Sequence, residues 1–109
     1  MTKIGYTYLI SNKNRTVIYT GVSSNIGHRM LRHKAGRGSV FATRYHLTDL
    51  MYYERIHGMM NAINREKQLK RWHKEWKWNL VKSVNPELKD LATDWFSTDE
   101  IKQARERFK

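Results

Sequence analysis

Cysteine is absent from the 109-residue chain, and proline occurs only once. Without cysteine the chain can form no disulfide bond and no thiolate metal site, and this composition is typical of proteins in the reducing cytosol. The chain also lacks any run of about 18 apolar residues, the length that a membrane-spanning helix requires. A strand-like pattern begins almost at the N-terminus, which leaves no room for a signal peptide. We therefore predict a cytoplasmic protein with no segment in a membrane.

Acidic residues are scarce relative to basic ones. The chain has 10 aspartates and glutamates against 21 lysines and arginines, which gives a formal net charge of +11. A positive field of this size attracts polyanions, of which nucleic acid is the first candidate and an anionic membrane surface the second. A basic protein that is merely soluble is the remaining interpretation. Apolar residues make up 39% of the chain and aromatic residues 12%, enough for the core of one folded domain.

Two segments near the N-terminus alternate in the manner of β-strands. Residues 6–10 and 16–21 are rich in tyrosine, threonine and β-branched residues, and a polar loop joins them. In the hairpin register that this loop favours, Tyr8 lies directly opposite Tyr19 on the same face. A shift of one residue in the register would separate the two phenols.

The rest of the chain predicts helices around a third strand. A helix capped at residues 23–25 runs to about Ala35, and the third strand covers residues 50–54, with residues 41–46 ambiguous between them. Further helices are predicted at residues 59–71, from there to near residue 84, and at residues 98–108, the last with a capping box of Ser97 and Glu100. This order predicts an α/β fold of the α+β type, with a small, mainly antiparallel, three-stranded sheet flanked by helices.

Three polar residues stand out on the predicted helices. Arg29 and His33 are four residues apart and therefore neighbours on one helical face, where a solvated charge and a structural hydrogen bond are the ordinary roles. Glu66 falls inside the apolar stripe of the 59–71 helix, where a carboxylate favours a functional role over a surface one. The alternative role for Glu66 is an ion pair with a nearby lysine or arginine. The tyrosines, likewise, are also typical of simple packing in strands.

These residues, in this order, resemble the paired signature of the GIY-YIG nuclease superfamily, which includes intron homing endonucleases and the excinuclease C subunit. The resemblance covers residues 4–95, and only the tail helix lies outside it. It rests on the triplets Tyr6-Thr7-Tyr8 and Tyr19-Thr20-Gly21, on Arg29 and His33 at the family's spacing, on the segment from Ala62 to Gln68, on Asn85-Pro86, on Lys89-Asp90-Leu91 and on Trp95.

The resemblance implies a metal-dependent endonuclease that hydrolyses phosphodiester bonds in DNA. Tyr8 and Tyr19 would activate and orient the attacking water, although the sequence does not say which phenol is the base. Arg29 would hold a phosphate oxygen, and His33 would either contact the phosphate or shuttle a proton. Glu66 would hold a single Mg²⁺, with Mn²⁺ as a substitute. The chain departs from the family at Thr7 and Thr20, where an aliphatic residue is usual, and at Gly27 inside the first helix.

Substrate binding beyond the reacting groups is predicted from basic and polar residues on the same segments. Residues 1–96 are predicted to form the nuclease domain, and residues 97–109 a tail helix packed on it or extending from it. Trp72 and Trp76 are predicted to lie in the core, whereas Trp78 either stacks on an unpaired base or is partly buried. The oligomeric state, monomer or weak dimer, stays open. The predicted substrate-binding residues are Tyr6, Arg32, Lys34, Arg44, Lys67, Lys70 and Asn85.

Two alternative functions remain at the level of sequence. The chain could retain the fold as a nucleic-acid-binding module with weak or no cleavage, because a short domain lacks the additional recognition domains of its larger relatives. A basic structural protein of the nucleoid or ribosome would leave the position of Glu66 and the order of the tyrosines unexplained.

Overall fold

The computed structural model describes residues 3–109 and shows an α+β architecture with one sheet. Three strands lie in the order β2-β1-β3, and both neighbouring pairs are antiparallel, as the sequence predicts. No helix within these residues is both long and apolar enough to cross a membrane. The elements are β1 (Ile4–Ser11), β2 (Ile18–Ser23), α1 (Ile26–Lys34), α2 (Val40–Arg44), β3 (Asp49–His57), α3 (Met59–Lys70), α4 (Lys74–Val84) and α5 (Thr98–Arg107).

The sheet has helices on both faces. The tyrosine face carries Tyr6, Tyr8 and Ile10 of β1. Tyr8 and Ile10 share an apolar cluster with Met30 of α1, Ala42 of α2 and Leu47. The opposite face packs on α3 and α4, and there the Thr7 hydroxyl donates a 2.7 Å hydrogen bond to the carbonyl of Ala62. This hydrogen bond gives one departure from the family signature a role, since an aliphatic residue could not make it. The hydroxyl of Thr20 is buried and has no hydrogen-bond partner within residues 3–109.

The register of the β1–β2 hairpin differs from the prediction. Tyr8 pairs with Gly21, and Tyr19 pairs with Ile10, so the direct opposition of the two tyrosines is wrong. The loop is longer than expected because the side chain of Asn12 accepts hydrogen bonds from two backbone amides across it, at 2.9 and 3.0 Å. The shift amounts to two residues, and therefore both phenols still lie on the tyrosine face.

Gly21 leaves room for the ring of Tyr8 on the neighbouring strand. A Cβ at Gly21 would lie 2.5 Å from the hydroxyl oxygen of Tyr8. We expect Gly21→Ala to lower the free energy of unfolding by about 1–3 kcal/mol, since the ring must move from its packed position. Urea denaturation measures this change.

Gly27→Ala is the matched control, because its Cβ would meet Asn25 at an ordinary 3.6 Å. There we expect the free energy of unfolding to rise by about 0.5 kcal/mol, since alanine favours the helix. Equal stability of Gly21→Ala and the parent protein would contradict the position of the ring.

The tryptophans are placed differently from their prediction. Trp76 is 50% exposed, so its assignment to the core is wrong. Trp78 instead packs against the apolar cluster of Leu9, Met51 and Val81, which removes it as a stacking residue. The two residues exchange roles because α4 begins only at Lys74 and turns its Trp78 and Val81 side towards the sheet.

The tail helix α5 packs against α1. Its capping box is present as predicted, with Ser97 accepting from the amide of Glu100 at 3.1 Å and Glu100 accepting from the amide of Ser97 at 3.0 Å. The ring of Phe108 lies 4.4 Å from the guanidinium carbon of Arg32. The last helix therefore supports the helix that carries Arg29 and His33.

Candidate active site

A buried tyrosine–histidine pair lies at the centre of the candidate site. Tyr8 and His33 are each 2% exposed, and the Tyr8 hydroxyl oxygen lies 3.0 Å from Nε2 of His33 in a hydrogen bond. The contact holds the Tyr8 hydroxyl in one position in either tautomer of the imidazole. Gly38 makes room for the imidazole, since a Cβ there would lie 2.8 Å from its Cε1 atom. Nδ1 of His33 is buried and has no hydrogen-bond partner in the described part of the chain.

Four charged or ionisable groups act on this pair. Burial raises the pKa of Tyr8 above its usual range, the Arg29 guanidinium opposes that rise, and Tyr19 and Glu66 add to it. Burial, assisted by the Arg29 and Arg32 guanidiniums, also lowers the pKa of His33 to about 4. His33 is therefore neutral near pH 7. The charge of Arg29 therefore influences the pKa values of both members of the pair.

Arg29 also lines a polar groove along α1. The groove has a volume of about 360 Å³ and holds three basic side chains, His28, Arg29 and Arg32. Asn25, at its end, caps α1 by accepting a 2.9 Å hydrogen bond from the amide of His28. Hydroxyl, amide and guanidinium donors of this kind suit phosphate oxygens. The α1 groove is lined by Ser23, Ser24, Asn25, His28, Arg29, Arg32, Gly38 and Ser39.

Tyr19 and Glu66 complete the site at the edge of β2. Tyr19 stacks on Phe41, with ring centroids 5.4 Å apart, and Nζ of Lys70 lies 5.6 Å from the centre of the Tyr19 ring. Lys70 also forms an ion pair with Glu66 at 3.2 Å. The Glu66 side chain is only 15% exposed. The last turns of α3 therefore bring a mostly buried carboxylate and a lysine to the two tyrosines.

Comparison with known proteins identifies the family to which this site belongs. A family model described as the GIY-YIG catalytic domain matches residues 4–79. The chain belongs to the GIY-YIG family. The match contains all five residues of the site, and it shows that the chain is of a nuclease family.

Curated relatives of this GIY-YIG protein are small proteins of similar size. A UPF0213 protein of Staphylococcus haemolyticus is 26% identical over 76 residues, which span 70% of the chain and 92% of the relative. A UPF0213 protein of Streptococcus pyogenes is 34% identical over 71 residues, 64% of the chain and 75% of the relative. A third, from Natronomonas pharaonis, is 31% identical over 65 residues, 60% of the chain and 75% of the relative. No solved structure matches the chain significantly.

The predicted substrate-binding residues divide into two groups around the GIY-YIG site. Arg32 lines the α1 groove, Lys70 lies beside Tyr19, and Tyr6 is half-buried on the tyrosine face. Arg44 and Lys67 are exposed, on α2 and α3. These five are accessible for the predicted contacts, which stay predictions.

Lys34 and Asn85, in contrast, are occupied within the fold. The Lys34 ammonium, 9% exposed, forms a 2.5 Å ion pair with Asp90 and donates to the Thr48 carbonyl at 3.0 Å. The amide of Asn85 donates to the carbonyls of Met51, at 3.0 Å, and Lys89, at 2.8 Å. The predicted substrate contact is therefore corrected for both residues, because Lys34 ties Asp90 to α1 and Asn85 ties its own segment to Met51 of β3.

The site also contains residues that the sequence interpretation missed. Tyr53 lies directly opposite Tyr8 on β3, and Trp95 packs on it. Continuing the alternation of the third strand beyond residue 54 would have put Tyr53 and Arg55 on one face. Gly38 gave no local signal, since only the packing of His33 reveals its role.

The buried neutral state of His33 has a consequence for stability. The ordinary pKa of 6.5 falls to about 4 in the folded protein, so the unfolded chain alone binds this proton between those values. We expect the free energy of unfolding to decrease as the pH falls from about 6.5 to about 4, by about 3 kcal/mol in total. Urea denaturation across this pH range measures the slope.

Two histidine variants test whether His33 causes this pH dependence of stability. His33→Gln removes the titrating group and should flatten the pH dependence of stability between about 6.5 and about 4.5. His57→Gln changes an exposed histidine and should leave it as in the parent protein. An unchanged slope in His33→Gln would show that His33 is not held neutral by the fold.

Proposed function

We propose that this GIY-YIG protein is a divalent-metal-dependent endonuclease that hydrolyses phosphodiester bonds in DNA. The observation that carries the proposal is the buried hydrogen bond between the Tyr8 hydroxyl and His33, together with the influence of Arg29, Tyr19 and Glu66 on the pKa of that phenol. A guanidinium, two phenols and one carboxylate are the groups that a hydrolysis of a phosphodiester needs for charge stabilisation, water positioning and metal binding. The net charge of +11 supports a polyanionic substrate.

Glu66 is the residue that would hold the metal. Within residues 3–109 there is no cluster of three or more histidine or acidic residues that could form a site made entirely of protein ligands. Mg²⁺ suits this arrangement, because it commonly takes one or two carboxylates and completes its shell with water and phosphate oxygens. When bound, the ion would supply Lewis-acid stabilisation of negative charge on the phosphate. Mn²⁺ has the same preference for oxygen ligands and could replace it.

The two tyrosines are assigned different tasks. Burial raises the pKa of Tyr8 above its usual range, so its phenolate is costly and it serves better to position the attacking water. Tyr19 is less buried than Tyr8, and Nζ of Lys70 lies 5.6 Å from the centre of its ring, so Tyr19 is the more accessible phenol for a proton transfer. In this proposal Tyr19, reacting as its phenolate, takes the proton of the water, and His33 holds the Tyr8 hydroxyl in place.

Arg29 completes the reaction on the phosphate. Its guanidinium would hold a non-bridging oxygen while the water oxygen bonds to phosphorus, and the bond to the leaving oxygen breaks on the opposite side. The leaving oxygen takes its proton from solvent. The α1 groove, with Arg32 and His28, would hold a neighbouring phosphate of the same strand.

A panel of labelled DNA substrates tests the proposal. We expect cleavage of duplex, forked or single-stranded DNA in Mg²⁺ or Mn²⁺ and none in EDTA, measured on denaturing gels. Cleavage that is equally fast in EDTA would overturn the metal requirement. Binding of every substrate without cleavage in either metal would overturn the enzymatic function.

A binding module without useful turnover is the second candidate. The observation that favours it is the ion pair of Glu66 with Lys70, which neutralises the carboxylate that a metal would need. Such a module would bind DNA with a steep salt dependence and leave it intact. The substrate panel separates the two candidates, because only an enzyme produces cleaved strands.

A further inference from the structure

An aromatic pair lies on the tyrosine face next to the candidate site. Tyr53 of β3 is the direct cross-strand neighbour of Tyr8, a pairing that places their Cβ atoms about 5 Å apart. Trp95 packs edge-to-face on Tyr53, with ring centroids 6.0 Å apart and planes at 75°. Tyr6 adds a third ring, 6.4 Å from that of Tyr53. We call Tyr53 and Trp95 the aromatic platform.

The platform remains open to solvent. Tyr53 is 41% exposed and Trp95 is 36% exposed, and both lie outside the two apolar clusters that form the core. An exposed pair of large aromatic side chains beside a candidate site points to contact with a partner. More than a third of the surface of each residue therefore remains accessible within residues 3–109.

Positive charge runs from the α1 groove to the platform. Tyr6 has Ser23 of the groove on one side in the sheet and Arg55 on the other. Arg55 is exposed and forms neither an ion pair nor a side-chain hydrogen bond within residues 3–109. A strand held by Arg29 in the groove could therefore continue over Tyr6 to a second guanidinium beside the platform. Backbone charge and ring faces in this order suit a nucleic-acid strand.

We propose that the aromatic platform stacks on an unpaired base next to the scissile phosphate. The substrate would then be DNA with single-stranded nucleotides at the cleavage point, such as a bulge, fork or flap. The reason is that neighbouring bases cover both faces of a base inside a duplex, whereas an unpaired base offers a free face to an aromatic ring. This inference rests on the proposed action on DNA and adds the class of DNA substrate.

Binding without cleavage tests the platform. Fluorescence anisotropy in EDTA compares a fully paired duplex with the same duplex carrying a three-nucleotide bulge. We expect the protein to bind the bulged DNA about 10-fold more tightly, and Trp95→Leu and Tyr53→Leu each to lose most of that preference. Trp76→Leu is the matched control, since Trp76 is 50% exposed on α4, and it should keep the preference. Far-UV circular dichroism and thermal melting confirm that each variant folds, and the two platform variants are independent of each other.

Removal of the bases gives a second arm. Abasic residues in the bulge should abolish the preference of the parent protein for bulged DNA. They should not weaken the binding of Trp95→Leu any further, because the base and the tryptophan ring form the same contact and the variant has already lost it. Preference for the bulge retained in both folded platform variants would overturn the inference. If the preference for bulged DNA depends on the platform but no DNA is cleaved in Mg²⁺, the role of the platform is supported and the proposed nuclease function is overturned. If duplex and bulged DNA are bound and cleaved equally well, the role of the platform is overturned and the proposed nuclease function is supported.

Discussion

Replacing Glu66 by glutamine should reduce the rate of DNA cleavage by about 10³-fold. The Glu66 side chain is 15% exposed and is the carboxylate that acts on the Tyr8 phenol. Glutamine keeps the size and one oxygen of the side chain but loses the negative charge that a divalent ion requires. The loss of several kcal/mol of charge stabilisation in the transition state corresponds to this factor.

Stability and metal affinity provide readouts besides the rate. Lys70 is 47% exposed in its ion pair with Glu66, so breaking that pair should cost at most about 1 kcal/mol in the free energy of unfolding. Titration of Mn²⁺ followed by electron paramagnetic resonance should show weaker binding to Glu66→Gln than to the parent protein. Glu75→Gln, which changes an exposed carboxylate in the first turn of α4, is the control and should cleave at the parent rate. Full activity of a folded Glu66→Gln would sink the assigned role.

Replacing Arg29 by methionine should reduce the cleavage rate by about 10²–10³-fold, the effect of removing one donor to a developing oxyanion. Methionine keeps much of the apolar stem of the side chain but supplies no charge and no hydrogen-bond donor. Binding should weaken less than the rate, since the α1 groove retains Arg32 and His28 for phosphate contacts. Single-turnover kinetics and anisotropy measure the two effects separately.

The same variant should shift the titration of His33. Burial and the Arg29 cation lower the pKa of His33 to about 4, so removing the cation should raise that pKa towards its ordinary value. Nuclear magnetic resonance of the imidazole protons follows the titration directly. Arg44→Met is the control, because Arg44 is exposed on α2 and is absent from the charges that act on His33. A pKa that stays at about 4 in Arg29→Met would show that Arg29 does not lie beside the pair.

Local features of the fold could be predicted from the sequence because the interactions that decide them lie within a few residues. The cap of α1 at Asn25 and the capping box of Ser97 and Glu100 involve residues only three positions apart. The alternation of β1 placed Tyr6 and Tyr8 on one face in any register. The position of Glu66 in an apolar stripe predicted its partial burial, which the 15% exposure confirms.

The register of the hairpin depended on interactions that composition does not reveal. Asn12 extends the loop by binding two amides across it. As a result Tyr8 lies over Gly21 and reaches His33 instead of facing Tyr19. A two-residue shift leaves the hydrophobic pattern unchanged, so periodicity alone could not distinguish the two registers.

The partners of charged side chains were decided by contacts between distant segments. Lys34 meets Asp90, 56 positions away, and the amide of Asn85 reaches Met51 on β3. In the sequence both looked as available for substrate as Arg29. The aromatic platform likewise joins Tyr53 to Trp95, which no local pattern connects.

The sequence by itself determined the GIY-YIG family and the α+β class, and it predicted a set of candidate site residues, because signature spacing and short-range patterns encode them. Only the tertiary structure decided which of these groups meet. It paired Tyr8 with His33 rather than Tyr19, brought Lys70 to Glu66 and left Tyr53 and Trp95 open beside them. The physical reason is that burial and long-range pairing set the pKa values, ion pairs and exposure of these side chains, and both exist only once the chain has folded.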